Sequence, residues 1–302
     1  LYWIVFKISN KIQIKNDEKL LPGNYGFNLI STMSIHPTAI VHPDAKIHDT
    51  ATIGPFCIIE EDTSIGEGTI LDSSVVVHSG TMIGKNNRIF HSAVLGGLPQ
   101  DLGFKSETKT GLEIGDGNLI RESCLIARAT RTDKPTRIGN NNYIMGNVHL
   151  AHDGSIGNNV IVVQNTILAG HVEIGNNVFI SGLVALHQFG RVGDHSMLAG
   201  CSKIVKDVPP FTTIDGNPAT IIGLNTVGLK RGGFPADVRA AIKATYKTIY
   251  HSSLNTKQAI ARLQEEKSPI PEVQKIIEFF VSSKRGVTDH RAIGSKKGDL
   301  DE

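Results

Sequence analysis

Ser155-Ile156-Gly157-Asn158-Asn159-Val160-Ile161-Val162-Val163-Gln164-Asn165-Thr166-Ile167-Leu168-Ala169-Gly170-His171-Val172-Glu173-Ile174 places an aliphatic residue at every sixth position: Ile156, Val162, Leu168 and Ile174. A helix would scatter such a mark around its axis, and a simple strand would need apolar residues between the marks, so the spacing demands very short strands joined by tight corners. Toward the C-terminus the mark continues through Ile180, Leu186, Val192, Leu198 and Ile204. Toward the N-terminus it passes Leu150, Ile144 and Ile138, misses at Thr132, and resumes at Ile126, Ile120 and Ile114. Residues 96–113 interrupt it, and it runs on, one residue out of phase, from Leu95 back to Ile35. Twenty-six of twenty-seven positions fit, which removes chance as an explanation.

Small residues two places before the mark, among them Ala39, Ala45, Ala51, Cys57, Thr63 and Thr69, suit the narrow interior of a triangular solenoid with three hexads per coil. Twenty-seven hexads then predict nine coils over about 33–215, stacked at a strand spacing of roughly 4.8 Å. The 96–113 interruption reads as a projecting loop that reaches an adjacent subunit. Gly follows the mark at 54, 66, 84, 96, 115, 139, 157, 175 and 193, where a corner is expected to need unusual backbone angles.

Composition agrees with a solenoid. Aromatic residues make up only 6% of 302 and Gly reaches 31, so large rings do not fill the interior. A net charge of +2 is too balanced for a sequence-indifferent nucleic-acid binder. Cys57, Cys124 and Cys201 fit neither a disulfide framework nor a zinc motif, which suggests inert thiols in a reducing compartment, the cytoplasm. The apolar run Leu1 to Phe6 is too short for a signal sequence or a membrane span, and no integral membrane association is expected. Residues 1–32, ahead of Met33, read as a disordered extension or a start-site artefact. After Asp207-Val208-Pro209-Pro210 the pattern turns helical: Val238, Ile242, Tyr246, Ile249 and Tyr250 mark one face, Ile260 and Leu263 a second, and Val273, Ile276, Ile277, Phe280 and Val281 a third. A cap of about three helices over 216–283 is expected, with Pro271 in a first turn and a disordered tail over 284–302.

Histidines crowd the late coils. Adding eighteen twice to 152 gives 170 and 188, so His152, Gly170 and Gln188 are expected to stack in one column, with Asp153, His171 and Phe189 beside them. A His can take a proton from a hydroxyl near neutral pH, and a Gly N–H with no side chain in the way can hold a tetrahedral oxyanion. That is equipment for direct acyl transfer. No Cys or Ser stands beside a base, which argues against an acyl-enzyme. Singly, each His is more often a hydrogen-bonded surface residue, and the column as a set carries the inference. Zinc at His149, His152 and His171, as in the β-helical carbonic anhydrases that the repeat also resembles, is not favoured, because those enzymes are shorter and space their ligands differently.

The repeat resembles that of the hexapeptide-repeat acyltransferases, which implies a left-handed parallel β-helix, here with a C-terminal α-helical cap, assembled as a homotrimer. Ile35 to Ala39, Pro99-Gln100-Asp101-Leu102, Ile120 to Ser123, Val148 to Asp153, Leu168 to His171, His187-Gln188-Phe189, Gly216-Asn217 and Gly228 to Arg231 resemble, more narrowly, the UDP-N-acetylglucosamine 3-O-acyltransferases that begin lipid A synthesis. The resemblance spans about 33–283. It implies transfer of a 3-hydroxyacyl chain from acyl carrier protein to the 3-hydroxyl of UDP-N-acetylglucosamine. No cofactor is implied beyond the phosphopantetheine that the donor carries. It implies His152 as general base, Asp153 as its orienting neighbour and Gly170 as oxyanion donor. Asp101, His149, His171, His187, Gln188, Asn225 and Arg231 become contacts to the nucleotide sugar or the phosphopantetheine. Gly200 falls where that family sets acyl chain length, and a residue without a side chain implies a groove open to a longer chain. Arg121, Arg128, Lys134 and Arg137 are candidate docking residues for the acidic carrier. Departures stand at Gly103, where the family has Lys, at Val227 for Glu, at Gly232 for Arg and at Ala127 for His. An acyltransferase acting on the nitrogen of a different nucleotide amino sugar, or an inactive binding scaffold, is the alternative.

Overall fold

The computed structural model describes residues 34–291, and the expectation for 1–32 lies outside them. Within them the chain winds as a left-handed parallel β-helix whose strands, mostly two residues long, build three flat sheets. The first sheet starts at Ile40–Val41, the second at Lys46–Ile47 and the third at Thr52–Ile53. Pairing advances by one coil, as in Ile40↔Ile58, Lys46↔Ser64 and Thr52↔Ile70. The second residue of each pair points inward, so Ile53, Leu71, Ile89, Ile120, Ile144 and Val162 form one buried column. The small residues two places earlier are buried as expected, Ala51, Cys57 and Thr69 among them. Burial raises the thiol pKa of Cys57 and pushes that of Cys124 up to about 11, whereas Cys201 is exposed.

Two expectations about the repeat are corrected. Most of the glycines that follow the mark do not sit in the left-handed region. Asn86, Asn141, Asn159 and Asn177, two residues on from the glycine, take the positive φ. The glycines serve close stacking instead: a Cβ on Gly66 would lie 2.6 Å from the backbone of Gly84, and one on Gly139 2.5 Å from the carbonyl oxygen of Gly157. Thr132 is also no hexad. Leu125 pairs with His149, an advance of 24, against 18 between Tyr143 and Ile161, so six extra residues leave the coil between Ala127 and Thr136. The earlier interruption inserts thirteen, since Arg88 pairs with Leu119, 31 residues on. Thirteen shifts a six-residue phase by one, whereas six shifts it by none, which is why the second excursion leaves the phase unchanged. Both excursions leave from the same edge, the first corner, between the first and second sheets.

The outer faces differ. The first sheet presents Ile40, Ile58, Val76, Val94, Leu125 and Ile167, and the third presents Ile70, Leu119, Tyr143, Ile161, Phe179 and Met197. The second sheet presents Lys46, Glu113, Arg137, Glu173 and Arg191. The two apolar faces meet at the third corner, where Phe56 and Leu183 are exposed.

The expected boundary at 215/216 falls inside a hairpin. Thr212–Gly216 and Ala219–Leu224 pair antiparallel and extend the third sheet, and the helices begin after it. They are α1 (Thr226–Arg231), α2 (Ala236–His251), α3 (Thr256–Glu266) and α4 (Pro271–Ser282), one more than expected. Ile242, Tyr246, Ile249, Ile260, Leu263, Val273 and Ile276 form their shared core around Phe211. On α4 the buried aromatic is Phe279, under Arg191 at 4.7 Å, while Val281 is exposed. The first part of the expected tail, 284–291, is ordered. Val287 and His290 bridge to Asp207 and Ile221, Thr288 is buried, and the Arg285 Nε donates to the Val205 carbonyl at 2.7 Å. Those backbone and guanidinium bonds hold 284–291 on the solenoid, and 292–302 lie outside the described residues.

Candidate active site

The first corner recurs every eighteen residues, and the column expected from that arithmetic is present. The His171 N–H donates to the His152 carbonyl at 3.0 Å, and the Phe189 N–H to the Gly170 carbonyl at 2.9 Å. Asp153, His171 and Phe189 each adopt a positive φ near 60° at equivalent positions, which turns their side chains off the corner together. His171 lies flat on Phe189 at 4.5 Å and edge-on to His152 at 5.2 Å.

His152 is nearly buried, with its Nδ1 2.7 Å from Asp153 Oδ2. Burial alone would raise the Asp153 carboxyl, but hydrogen bonds from His152 and from the hydroxyl and N–H of Thr130, with the nearby His171, hold it below the usual carboxylate range. An ionised carboxylate only accepts, so the shared proton belongs to Nδ1 and the lone pair to Nε2. That Nε2 faces Asp101 Oδ2 at 4.0 Å. The loop over 98–111 lies over the corner of its own chain, where the Gly103 N–H at 2.7 Å and the Phe104 N–H at 3.1 Å turn it at Asp101.

Gly170 has a packing reason as well as a chemical one. A Cβ there would stand 2.8 Å from His152 Cε1 and 3.0 Å from Nε2, so the ring rests against bare backbone. Among the described residues no hydrogen bond uses the Gly170 N–H. His149, in the same coil, sets its Nδ1 3.1 Å from the Leu125 carbonyl, and burial lowers its pKa.

The ligand-capable atoms of His152, Asp153 and His171 lie within 4.8 Å of one another. Asp153 Oδ2 is already engaged by Thr130 Oγ1 and His152 Nδ1, both at 2.7 Å, so both lone pairs of that oxygen are in use. The arrangement is a carboxylate–imidazole pair joined by one short hydrogen bond.

His187 sits two coils beyond His152, with its Nδ1 2.9 Å from Arg285 Nη2, and Gln188 is exposed beside it. Arg285, Lys284, Arg191, Arg131 and Lys134 line a cavity of about 760 Å³ that also touches Asp153, His171 and Phe189. Of the four expected docking residues only Lys134 lines it. Arg121 pairs with Glu122, Arg137 pairs with Glu113, and Arg128 donates to the Ser79 carbonyl. The others on that wall had little sequence signal, since Arg191 sits in an ordinary strand and Lys284-Arg285 lies in the segment that follows α4.

Three expected residues stand away from the first corner. Asn225 caps α1 by accepting from the Gly228 N–H, and its Nδ2 donates to the His195 carbonyl at the second corner. Arg231 ends the same helix. Gly200 is at the third corner, where a Cβ would find ordinary space, 3.4 Å from the Gly182 carbonyl oxygen.

The family model described as "Udp N-acetylglucosamine O-acyltransferase; Domain 2" matches residues 207–288. An acyl-[acyl-carrier-protein]–UDP-N-acetylglucosamine O-acyltransferase of Myxococcus xanthus is 48% identical over 255 residues, covering 84% of this chain and 98% of its own. Its counterpart in Paracidovorax citrulli is 49% identical over 259 residues, with the same coverage. Among solved structures, a Francisella novicida UDP-N-acetylglucosamine acyltransferase superposes with a TM-score of 0.84 at 38% identity, covering 89% of this chain and 98% of that one. An Arabidopsis UDP-N-acetylglucosamine acyltransferase does so with a TM-score of 0.75 at 35% identity, over 84% and 100%.

Proposed function

Because this chain belongs to the acyl-[acyl-carrier-protein]–UDP-N-acetylglucosamine O-acyltransferases, we propose that it transfers its acyl group by direct attack of the sugar hydroxyl, with His152 as general base. The single observation that carries this reading is the 2.7 Å His152–Asp153 bond, which leaves an acceptor lone pair on Nε2. Nε2 takes the hydroxyl proton as the oxygen attacks the thioester carbonyl. The tetrahedral oxyanion is held by the Gly170 N–H, and collapse expels the phosphopantetheine thiolate, which recovers the proton from Nε2. General-base help of this kind contributes about 10²–10⁴-fold, and one oxyanion donor about 10²–10³-fold. Asp101, 4.0 Å from Nε2, faces the same space and stabilises the transient imidazolium.

In this reading the acceptor oxygen is the 3-hydroxyl, the donor a 3-hydroxyacyl chain, and the reaction the first step of lipid A synthesis in the cytoplasm. No cofactor is called for, since the thioester supplies the activation. Among the described residues no helix is long and apolar enough to cross a membrane. Membership in an O-acyltransferase family disfavours N-acylation, and the intact dyad disfavours an inactive scaffold.

The working unit is a homotrimer. One chain exposes two apolar faces and one charged face. Threefold closure packs the first sheet of one copy on the third sheet of the next and leaves the second sheet in water. The first corner of one copy then meets the second corner of its neighbour, which brings Asn225 and Arg231 to a nucleotide bound beside His152. The third corners, with Gly200, point to the axis at the end of the groove between copies. The carrier protein, being acidic, approaches the cavity lined by Arg131, Lys134, Arg191, Lys284 and Arg285.

Purified protein given 3-hydroxyacyl carrier protein and UDP-N-acetylglucosamine tests the reading. Turnover is expected in the wild type and a loss of about 10³-fold in His152→Ala. Undiminished turnover in that variant overturns the base assignment, and turnover only with a 3-amino acceptor overturns O-acylation.

A further inference from the structure

The His152–Asp153 pair has a third member. The six-residue excursion between Ala127 and Thr136 lays Thr130 against Asp153. The Thr130 N–H donates to Oδ1 at 3.0 Å and its hydroxyl donates to Oδ2 at 2.7 Å. The His152 Nδ1 lies 2.7 Å from that same Oδ2. We propose that Thr130 is a positioning residue for acyl transfer, clamping both oxygens of Asp153 so that Oδ2 keeps the His152 proton on Nδ1 and the lone pair on Nε2. This rests on His152 being the general base.

The two Thr130 donors act differently. The N–H fixes one oxygen, and any residue at 130 except proline supplies it. The hydroxyl holds Oδ2, for which a competitor is at hand, because His171 Nε2 lies only 3.6 Å from that oxygen. The Asp153 backbone is held independently, its N–H donating to Thr136 Oγ1 at 2.9 Å, so loss of the Thr130 hydroxyl frees the carboxylate to turn and leaves the corner in place. A carboxylate turned toward His171 releases Nδ1 and with it the tautomer of His152. The excursion thereby has a purpose that the repeat alone does not supply: it places a hydroxyl over a carboxylate that the coil itself leaves half satisfied.

The test uses the full chain with kcat and KM measured for both substrates. In Thr130→Val, which keeps the shape and the N–H, kcat falls about tenfold, the factor one charge-assisted hydrogen bond carries, while both KM values stay within about twofold. Thr130→Ser, which restores the hydroxyl, returns kcat to within about twofold of wild type. Wild-type kcat in Thr130→Val overturns the proposal. So does failure of Thr130→Ser to recover while the protein is folded, since the loss would then belong to the γ-methyl and its packing. If Thr130→Val is recovered poorly, Thr130→Ala against Thr130→Ser makes the same comparison. His152→Ala separates the two levels: an inactive His152→Ala beside an unaffected Thr130→Val removes Thr130 alone, whereas an active His152→Ala removes the general base and this proposal with it.

Discussion

Gly170→Ala separates the packing role of Gly170 from its role as a hydrogen-bond donor. The added methyl keeps the N–H that would hold the oxyanion, and Gly170 is not among the residues with positive φ, so Ala meets no backbone strain. What it meets is the His152 ring, 2.8 Å from Cε1, 3.0 Å from Nε2 and 3.4 Å from Nδ1. Ordinary contact begins near 3.4 Å, so the ring must recede by at least 0.6 Å (3.4 − 2.8). It cannot slide freely, because Nδ1 is tied to Asp153 at 2.7 Å and Asp101 stands at 4.0 Å on the other side. A misplacement approaching 1 Å at a reacting group costs about 10²-fold in rate, and we expect kcat to fall by about 10–10²-fold with little change in either KM. The fold suffers far less, about 1 kcal/mol for one extra methyl at a buried site, which is a melting-temperature drop of about 2 °C. Steady-state assays with the acyl carrier protein donor give the first number, and thermal melts the second. In a His152→Ala background the stability cost should vanish, because the clashing ring is gone. A Gly170→Ala enzyme with wild-type kcat, or one whose stability loss persists without the His152 ring, refutes the argument that the imidazole rests on bare backbone.

The other predictions concern charge and assembly. The Asp153 carboxyl pKa is lowered in the folded state, so its contribution is present above the unfolded value of about 3.9 and is lost as pH falls through the folded value. Asp153→Asn should therefore flatten the acid limb of stability in denaturant titrations below about pH 4, and should cut kcat/KM by about 10²–10⁴-fold at neutral pH. Ile58→Lys, on the apolar outer face of the first sheet and well away from His152, should turn a trimer into monomers by light scattering and abolish turnover. A monomer with full activity would show that one chain holds the whole site. Lys134→Glu with Lys284→Glu should raise KM for the acyl carrier about tenfold, more so at low salt, and leave KM for UDP-N-acetylglucosamine unchanged.

Much of the site was readable in advance because the coil is a ruler. Between Leu150 and Ile204 nothing interrupts the eighteen-residue advance, so 152, 170 and 188 had to stack, and His152 with Asp153 had to share their corner with Gly170 and His171. Where residues leave the ruler, arithmetic fails. Asp101 and Thr130 both come from excursions, whose paths depend on hydrogen bonds between groups that no period relates, such as the Gly103 N–H on Asp101. The thirteen-residue excursion betrays itself by a phase shift, but the six-residue one leaves only the polar Thr132 as a trace.

Sequence by itself determined the solenoid, its three-sided cross-section and its histidine corner, because those follow from a local repeat that every coil obeys. The role of the glycines after the mark was decided only by the folded chain: crowding between stacked coils, a distance no single hexad contains, excludes a Cβ there. Tertiary structure likewise chose Phe279 over Val281 for burial on α4, since Arg191 of the solenoid lies over that ring. It also drew 284–291 back onto the solenoid and set Arg285 beside His187. Each of these rests on contacts between segments far apart in the chain, whose energies depend on shape and hydrogen-bond geometry that composition and period do not encode.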